Sequence, residues 1–199
     1  QGELRAIIGP NGAGKTTLFN LVTGHLAPDA GKILFRGEDL KGLAPHTICC
    51  KGLGRTFQMN SVFQGLTVFE NVQTAWLARR GKTLDLFSRA SGMGREAVMT
   101  ILESVGLADQ AQKIASALAY GDRRRLEVAI ALAGDPCLLF LDEPTAGMSL
   151  GEKREMMALV RKIAEERKLT VVFTEHDMDV VFGIAQNITV MHQGKVIAE

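Results

Sequence analysis

The chain has 199 residues, 46% of them hydrophobic, with 23 basic against 22 acidic side chains. That is enough to bury one sizeable core, and a net charge of +1 leaves no electrostatic footprint for nucleic acid. No apolar run reaches the length of a membrane span and no signal peptide is visible. The three cysteines, two of them adjacent at Cys49 and Cys50, suit neither a disulfide framework nor zinc spacing and read as reduced packing residues of a cytosolic protein.

Leu4-Arg5-Ala6-Ile7-Ile8 reads as a short buried strand. Gly9-Pro10-Asn11-Gly12-Ala13-Gly14-Lys15-Thr16 comes next, spelling Gly, four residues, Gly, Lys and Thr, the Walker A pattern. Its glycines let the backbone curl until several N–H groups face one anion. Lys15 can reach the outer phosphates, and the Thr16 hydroxyl can hold Mg²⁺. Leu18, Phe19, Leu21 and Val22 then give one apolar helical face, which Gly24 can end. Strand, Gly-rich loop and helix together place phosphates at a helix N-terminus. The expected phosphate-binding set runs from Gly9 through Thr17.

Next, Lys32–Arg36 between Gly31 and Gly37 reads as a hairpin strand. Asp39-Leu40-Lys41-Gly42 matches a GTPase D-x-x-G, but no N-K-x-D accompanies it. From about residue 59 the strand signal gives way to helical periodicity. Thr67-Val68-Phe69-Glu70 is a capping box, succeeded by apolar Val72, Ala75, Trp76 and Leu77. Gly92-Met93-Gly94 breaks the region, and Val98, Ile101, Leu102 and Val105 resume it. A helix after Gly121 carries Arg123-Arg124-Arg125, which spread around the cylinder as a solvated face. Leu138–Leu141 is a continuous apolar strand ending in Asp142-Glu143, where α/β folds place ligands. An acid there can organise Mg²⁺, and the next can polarise a water. Ser149 with Glu152 caps a helix, Thr170–Phe173 is a strand, Asp177 is a cap, and Ile188–Ala198 is a hairpin turning near Gln193-Gly194. The expected fold is α/β, with 1–58 as the P-loop and β part, 59–120 as an inserted helical subdomain and 121–199 as the rest of the core.

Asp142-Glu143-Pro144-Thr145, preceded by Leu118-Ala119-Tyr120-Gly121-Asp122-Arg123-Arg124-Arg125, resembles an ATP-binding-cassette (ABC) ATPase. Arg55-Thr56-Phe57-Gln58 is similar to the family's Q-loop, and Thr174-Glu175-His176-Asp177 to its switch-histidine region. The ordered motifs cover essentially the whole chain. Within the family the resemblance is closest to the ATPase of branched-chain amino-acid importers. It is carried by Gly121–Glu127, by Ala146-Gly147-Met148-Ser149 and by Glu175-His176-Asp177-Met178-Asp179-Val180-Val181.

The resemblance implies ATP and Mg²⁺. Thr16, Gln58 and Asp142 would surround the metal, Glu143 would be the general base, and His176 would contact the γ-phosphate. Tyr120 and Gly121 would cap ATP bound to a second ABC subunit, identical or related, in a head-to-tail pair. Transmembrane permease subunits would hold the protein at the cytoplasmic face of the inner or plasma membrane and link it to a substrate-binding protein. Phe57, Phe63, Leu66 and Phe69 are the apolar candidates for that docking. The chain departs from the wider family where Ala119, Tyr120 and Asp122 replace Ser, Gly and Gln of the signature, and where Ser149 replaces the D-loop Asp. No aromatic residue precedes Gly9, so an N-terminally truncated domain is expected, its adenine-stacking residue upstream. An exporter or lipid-extraction ATPase and a non-transport ABC ATPase are the alternatives.

Overall fold

The computed structural model describes residues 2–56, 62–81 and 93–199. Phe57, Gln58 and Gly92 lie outside the described residues. The elements in chain order are β1 (Leu4–Ile8), α1 (Lys15–Val22), β2 (Leu34–Phe35), β3 (Glu38–Asp39), α2 (Pro45–Cys50), β4 (Leu53–Arg55), α3 (Val68–Arg79), α4 (Arg95–Ser104), α5 (Tyr120–Ala133), β5 (Leu138–Asp142), α6 (Leu150–Arg167), β6 (Thr170–Thr174), α7 (Met178–Ile184), β7 (Asn187–His192) and β8 (Lys195–Ala198).

One six-stranded sheet has the order β4-β5-β6-β1-β7-β8. Every neighbouring pair is parallel except β7 with β8. Successive side chains of a strand leave opposite faces, so β1 and β5 each feed two cores. Leu4 and Ala6 of β1, with Leu139 and Leu141 of β5, join a large core shared with α3 to α7. Ile7 and Phe140 point the other way, into a smaller core with Phe19 of α1 and Ile48 of α2. This two-sided burial is why the parallel strands read as continuous apolar runs. In α6, Met156, Val160, Ile163 and Ala164 are buried at helical spacing, as are Val98, Ile101 and Leu102 in α4.

Local chemistry ends the elements where the residues predict. Thr67 and Ser149 each accept from the backbone N–H of a glutamate three residues on, and that glutamate reaches back to the cap's own N–H. Asp177 accepts from the N–H of Asp179 at the start of α7. Both hairpins turn on paired positive-φ residues, Arg36 (53°) with Gly37 (83°) and Gln193 (47°) with Gly194 (76°), as a two-residue hairpin of native twist requires.

Four expectations are corrected. The strand read at Lys32–Arg36 is the two-residue β2, whose ladder with β3 consists of Leu34 opposite Asp39 and Phe35 opposite Glu38 and ends at the tight turn of Arg36 and Gly37. The helix expected after Gly121 begins at Tyr120. The arginines at 123–125 are half-buried rather than a solvated face, and Arg124 pairs with Glu127 at 2.9 Å. Cys49 and Cys50 are exposed free thiols rather than packing residues, since the buried face of the short α2 belongs to Ile48. Of the apolar docking candidates, Phe69 belongs to the core, whereas Phe63 is exposed.

Ser149→Ala removes the α6 cap while leaving the core untouched. It is expected to cost about 1 kcal/mol, read in urea as a lower midpoint with an unchanged slope. An unchanged midpoint would mean that the box is not maintained in solution.

Candidate functional site

Ile7 of β1 is in register with Thr174 of β6, and Thr174 with Asp142 of β5. The three strands therefore end level, and the segments leaving them converge on one edge of the sheet. That edge, beyond the carboxyl ends of the strands, is where open α/β sheets take ligands.

From β1 comes the Gly-rich loop. Gly9 has no substitute: a Cβ there would sit 2.2 Å from the Met191 carbonyl oxygen of β7. Ala13 N–H donates to the Pro10 carbonyl at 3.1 Å, and Gly194 N–H to the Ala13 carbonyl at 2.9 Å, so the β7–β8 turn braces the loop. Gly14 (φ 100°) hands the chain to α1, whose first N–H groups have no carbonyl of their own helix. Lys15 is buried and donates to the carbonyls of Gly9 at 2.6 Å and Pro10 at 3.1 Å. A cavity of about 220 Å³ is lined by Asn11 through Thr17 and by Glu143. Its walls are backbone N–H groups, hydroxyls, one ammonium and one carboxylate, which is a site for a polyanion facing an acid.

From β5 come the acids. Asp142 Oδ1 accepts from the Thr174 hydroxyl at 2.8 Å, and Oδ2 from Arg55 Nη2 at 3.3 Å. Arg55 also donates to Asn20 Oδ1 at 2.6 Å and Thr23 Oγ1 at 3.2 Å, both on or just after α1, and its guanidinium lies over the Phe19 ring. The Arg55 and Asp142 side chains are only 6% and 3% exposed. Burial pushes the Arg55 guanidinium below its ordinary pKa against the opposing pull of Asp142. Glu143 departs from β5 with φ 50°, a left-handed conformation for a non-glycine residue. Its N–H donates to Thr174 Oγ1 at 3.1 Å. Its carboxylate lies 2.9 Å from His176 Nε2, so the imidazole N–H can donate to it. His176 lies just past β6, directly after Glu175, which is buried.

Tyr120 and Gly121 do not line this cavity. They open α5 behind Ala119, which gives no side-chain cap. Tyr120 hydroxyl donates to the Ala146 carbonyl at 2.7 Å and accepts from Arg124 Nη2 at 2.9 Å. Burial pushes the Glu127 carboxyl beside Arg124 above its usual range. Among the described residues no group of three or more His, Cys, Asp or Glu could cage a metal. The Thr16 hydroxyl and Asp142 carboxylate are hard oxygen donors of the kind Mg²⁺ takes. The sequence motifs group Glu143, His176, Asp142 and the loop, but they give no role to Arg55, Thr174 or Glu175. All three sit inside or beside recognised motifs, and that position is the available signal.

A family model described as ABC transporter matches residues 1–146. The high-affinity branched-chain amino acid transport ATP-binding protein LivG of Escherichia coli is 40% identical over 98% of this chain and 80% of its own. Its counterpart BraF of Pseudomonas aeruginosa is 41% identical over 99% and 80%. An ATP-binding cassette of an ABC transporter, solved in its ADP conformation, superposes with a TM-score of 0.87 at 29% identity, covering all of this chain and 80% of that one.

Arg55→Met should strand the buried Asp142 carboxylate without its cation. Breaking a buried pair in this way costs roughly 3–5 kcal/mol, measured as unfolding free energy of the nucleotide-free protein, with Arg55→Lys recovering part. A loss no larger than the roughly 0–1 kcal/mol of an exposed pair would show that water reaches this contact.

Proposed function

The chain belongs to the ABC transporter family of ATPases, and on that premise we propose that it is the ATP-hydrolysing motor of a membrane importer for branched-chain or related amino acids. The substrate class rests on the relatives LivG and BraF, whose identity runs through nearly the whole chain. The observation that carries the chemistry is that Glu143 lines the same cavity as the Gly-rich loop and hydrogen-bonds His176.

In this reading the phosphates of ATP lie on the N–H groups of Gly9 through Thr17, Pro10 shaping the turn without donating. Lys15 exchanges its two backbone carbonyls for phosphate oxygens. Thr16 and Asp142, with Gln58, would hold Mg²⁺, which would supply neutralising charge to the phosphates. Glu143 accepts a proton from the attacking water as its oxygen bonds to the γ-phosphorus. The bond from that phosphorus to the bridging oxygen breaks, and ADP and phosphate are released. His176 holds Glu143 in line and meets the γ-phosphate. Tyr120 and Gly121 serve the nucleotide of a second ATPase subunit, so the working unit is a pair, identical or related. No described helix is long and apolar enough to cross a membrane. The membrane contact in this reading is therefore made through permease subunits at the cytoplasmic face.

Glu143→Gln keeps the shape and removes the proton acceptor. Hydrolysis should fall about 10²–10⁴-fold while ATP still binds, and an ATP-bound dimer should accumulate on sizing. Single-turnover hydrolysis at the wild-type rate would remove Glu143 from the role of base.

Among the described candidates for permease docking, Phe63 is exposed, Leu66 half-buried and Phe69 buried. The Phe63 backbone is fixed at both N–H and carbonyl by the buried Asn71, at 2.8 and 3.0 Å. With Cys49 and Cys50 changed to serine, Phe63→Cys should cross-link to a cytoplasmic loop of the permease in a reconstituted complex. Cross-links formed only from other faces of the subunit would refute this docking surface.

A further inference from the structure

We propose that Glu175 is a positioning residue for hydrolysis: it fastens the turn that carries Glu143 to the peptide that carries His176. The proposal rests on the reading of Glu143 as the base.

Glu175 is 4% exposed and Thr145 is fully buried. Glu175 Oε1 accepts from the Thr145 N–H at 3.0 Å and from the Thr145 hydroxyl at 2.6 Å. Its Oε2 accepts from the His176 N–H at 3.3 Å. Thr145 belongs to the turn closed by Ala146 N–H on the Glu143 carbonyl at 3.1 Å. The carboxylate therefore ties the middle of the Glu143 turn to the backbone of the partner imidazole.

Two features make such a tie necessary. Glu143 is left-handed at φ 50°, a conformation that persists in a non-glycine residue only where its surroundings over-determine it. The Glu143–His176 contact also joins two partly exposed side chains on separate strand ends, and nothing in those side chains alone fixes their separation. An apolar residue at 175 would fill the space without burying a charged group. What Glu175 adds is three accepted hydrogen bonds, and a carboxylate accepts through both oxygens without offering a donor. Glutamine retains one oxygen for Thr145 but turns an amide N–H toward the His176 N–H.

Glu175→Ala and Glu175→Gln are compared with wild type in the full chain, alone and combined with Glu143→Gln. A misplacement of about 1 Å can cost about 10²-fold in rate, so Glu175→Ala should lower kcat by about 10–100-fold. The Kd for a fluorescent ATP analogue with Mg²⁺ should stay unchanged, and glutamine should recover part of kcat. In the Glu143→Gln background Glu175→Ala should cost nothing further, because the group it positions is already gone. Hydrogen exchange at the Thr145 amide should accelerate in Glu175→Ala.

If kcat and nucleotide affinity fall together, or the full loss recurs in the Glu143→Gln background, Glu175 is a structural residue and the proposal is overturned. A wild-type rate for Glu175→Ala beside an inactive Glu143→Gln overturns the positioning role alone. A wild-type rate for Glu143→Gln overturns the base assignment whatever Glu175 does. Should Glu175→Ala not fold, Thr145→Val carries the test: it removes one of the three bonds and must lower kcat less than additively with Glu175→Gln.

Discussion

The hydroxyl of Thr174 is the joint on which the site is built. It donates to Asp142 Oδ1 and accepts from the Glu143 N–H, so one side chain at the end of β6 fixes two consecutive acids at the end of β5. This is possible because parallel register brings Thr174 level with Asp142 on one side and with Ile7 on the other. A parallel sheet keeps its register through the side chains it buries on both faces. The two cores on either side of β1, β5 and β6 thereby determine where the chemistry sits. A slip of one residue would turn Leu139 and Leu141 into the smaller core and carry Asp142 away from Thr174.

The charges at this edge have partners within the chain. Lys15 spends its ammonium on two carbonyls of its own loop, and Asp142 is held by Arg55. Buried charges are tolerated only when paired or hydrogen-bonded, and the Lys15 bonds to Gly9 and Pro10 also tie the two ends of the loop together. The two arrangements differ in consequence. The carbonyl partners of Lys15 are neutral, and a phosphate offers a charge-assisted bond in their place. The Arg55–Asp142 pair is a full ion pair that Asn20, Thr23 and the Phe19 ring also anchor. It is better suited to remain intact and orient Asp142 than to exchange partners.

How much of this is legible in the sequence depends on how local each interaction is. The loop from Gly9 to Thr16, the capping boxes at Thr67 and Ser149 and the Gln193-Gly194 turn are set by residues a few positions apart, and there the sequence pattern and the structure agree. The strand ends at Asp142 and Thr174 are legible because two-sided burial leaves unbroken apolar runs that stop at the first polar residue, even though Asp142 and Thr174 are themselves buried. The Arg55–Asp142 pair spans 87 positions and the Glu175–Thr145 clamp 30. Nothing in either local pattern names its partner. The arginines at 123–125 mislead for the opposite reason: helical spacing alone spreads them around a cylinder, and only the packing of α5 against α3 and α4 shows which parts of that cylinder are covered.

Tyr120 shows how a departure from a family motif can be structurally consistent. A phenol where the wider family carries glycine is large and half exposed, and its hydroxyl reaches the carbonyl of Ala146, in the loop that leaves Glu143. Gly147 accepts this neighbour because a Cβ there would press on the phenol oxygen at 3.1 Å and because its own φ is 77°. Arg124 then fixes the phenol from one turn along α5, and Glu127 fixes Arg124. The start of the signature helix is thus tied within one subunit to the turn bearing the proposed base. Thr174 and Glu175 tie the same turn to β6 from the other side. A residue held from both sides in a left-handed conformation has little freedom to drift, and a group that must meet a water in line with a phosphate needs that constraint.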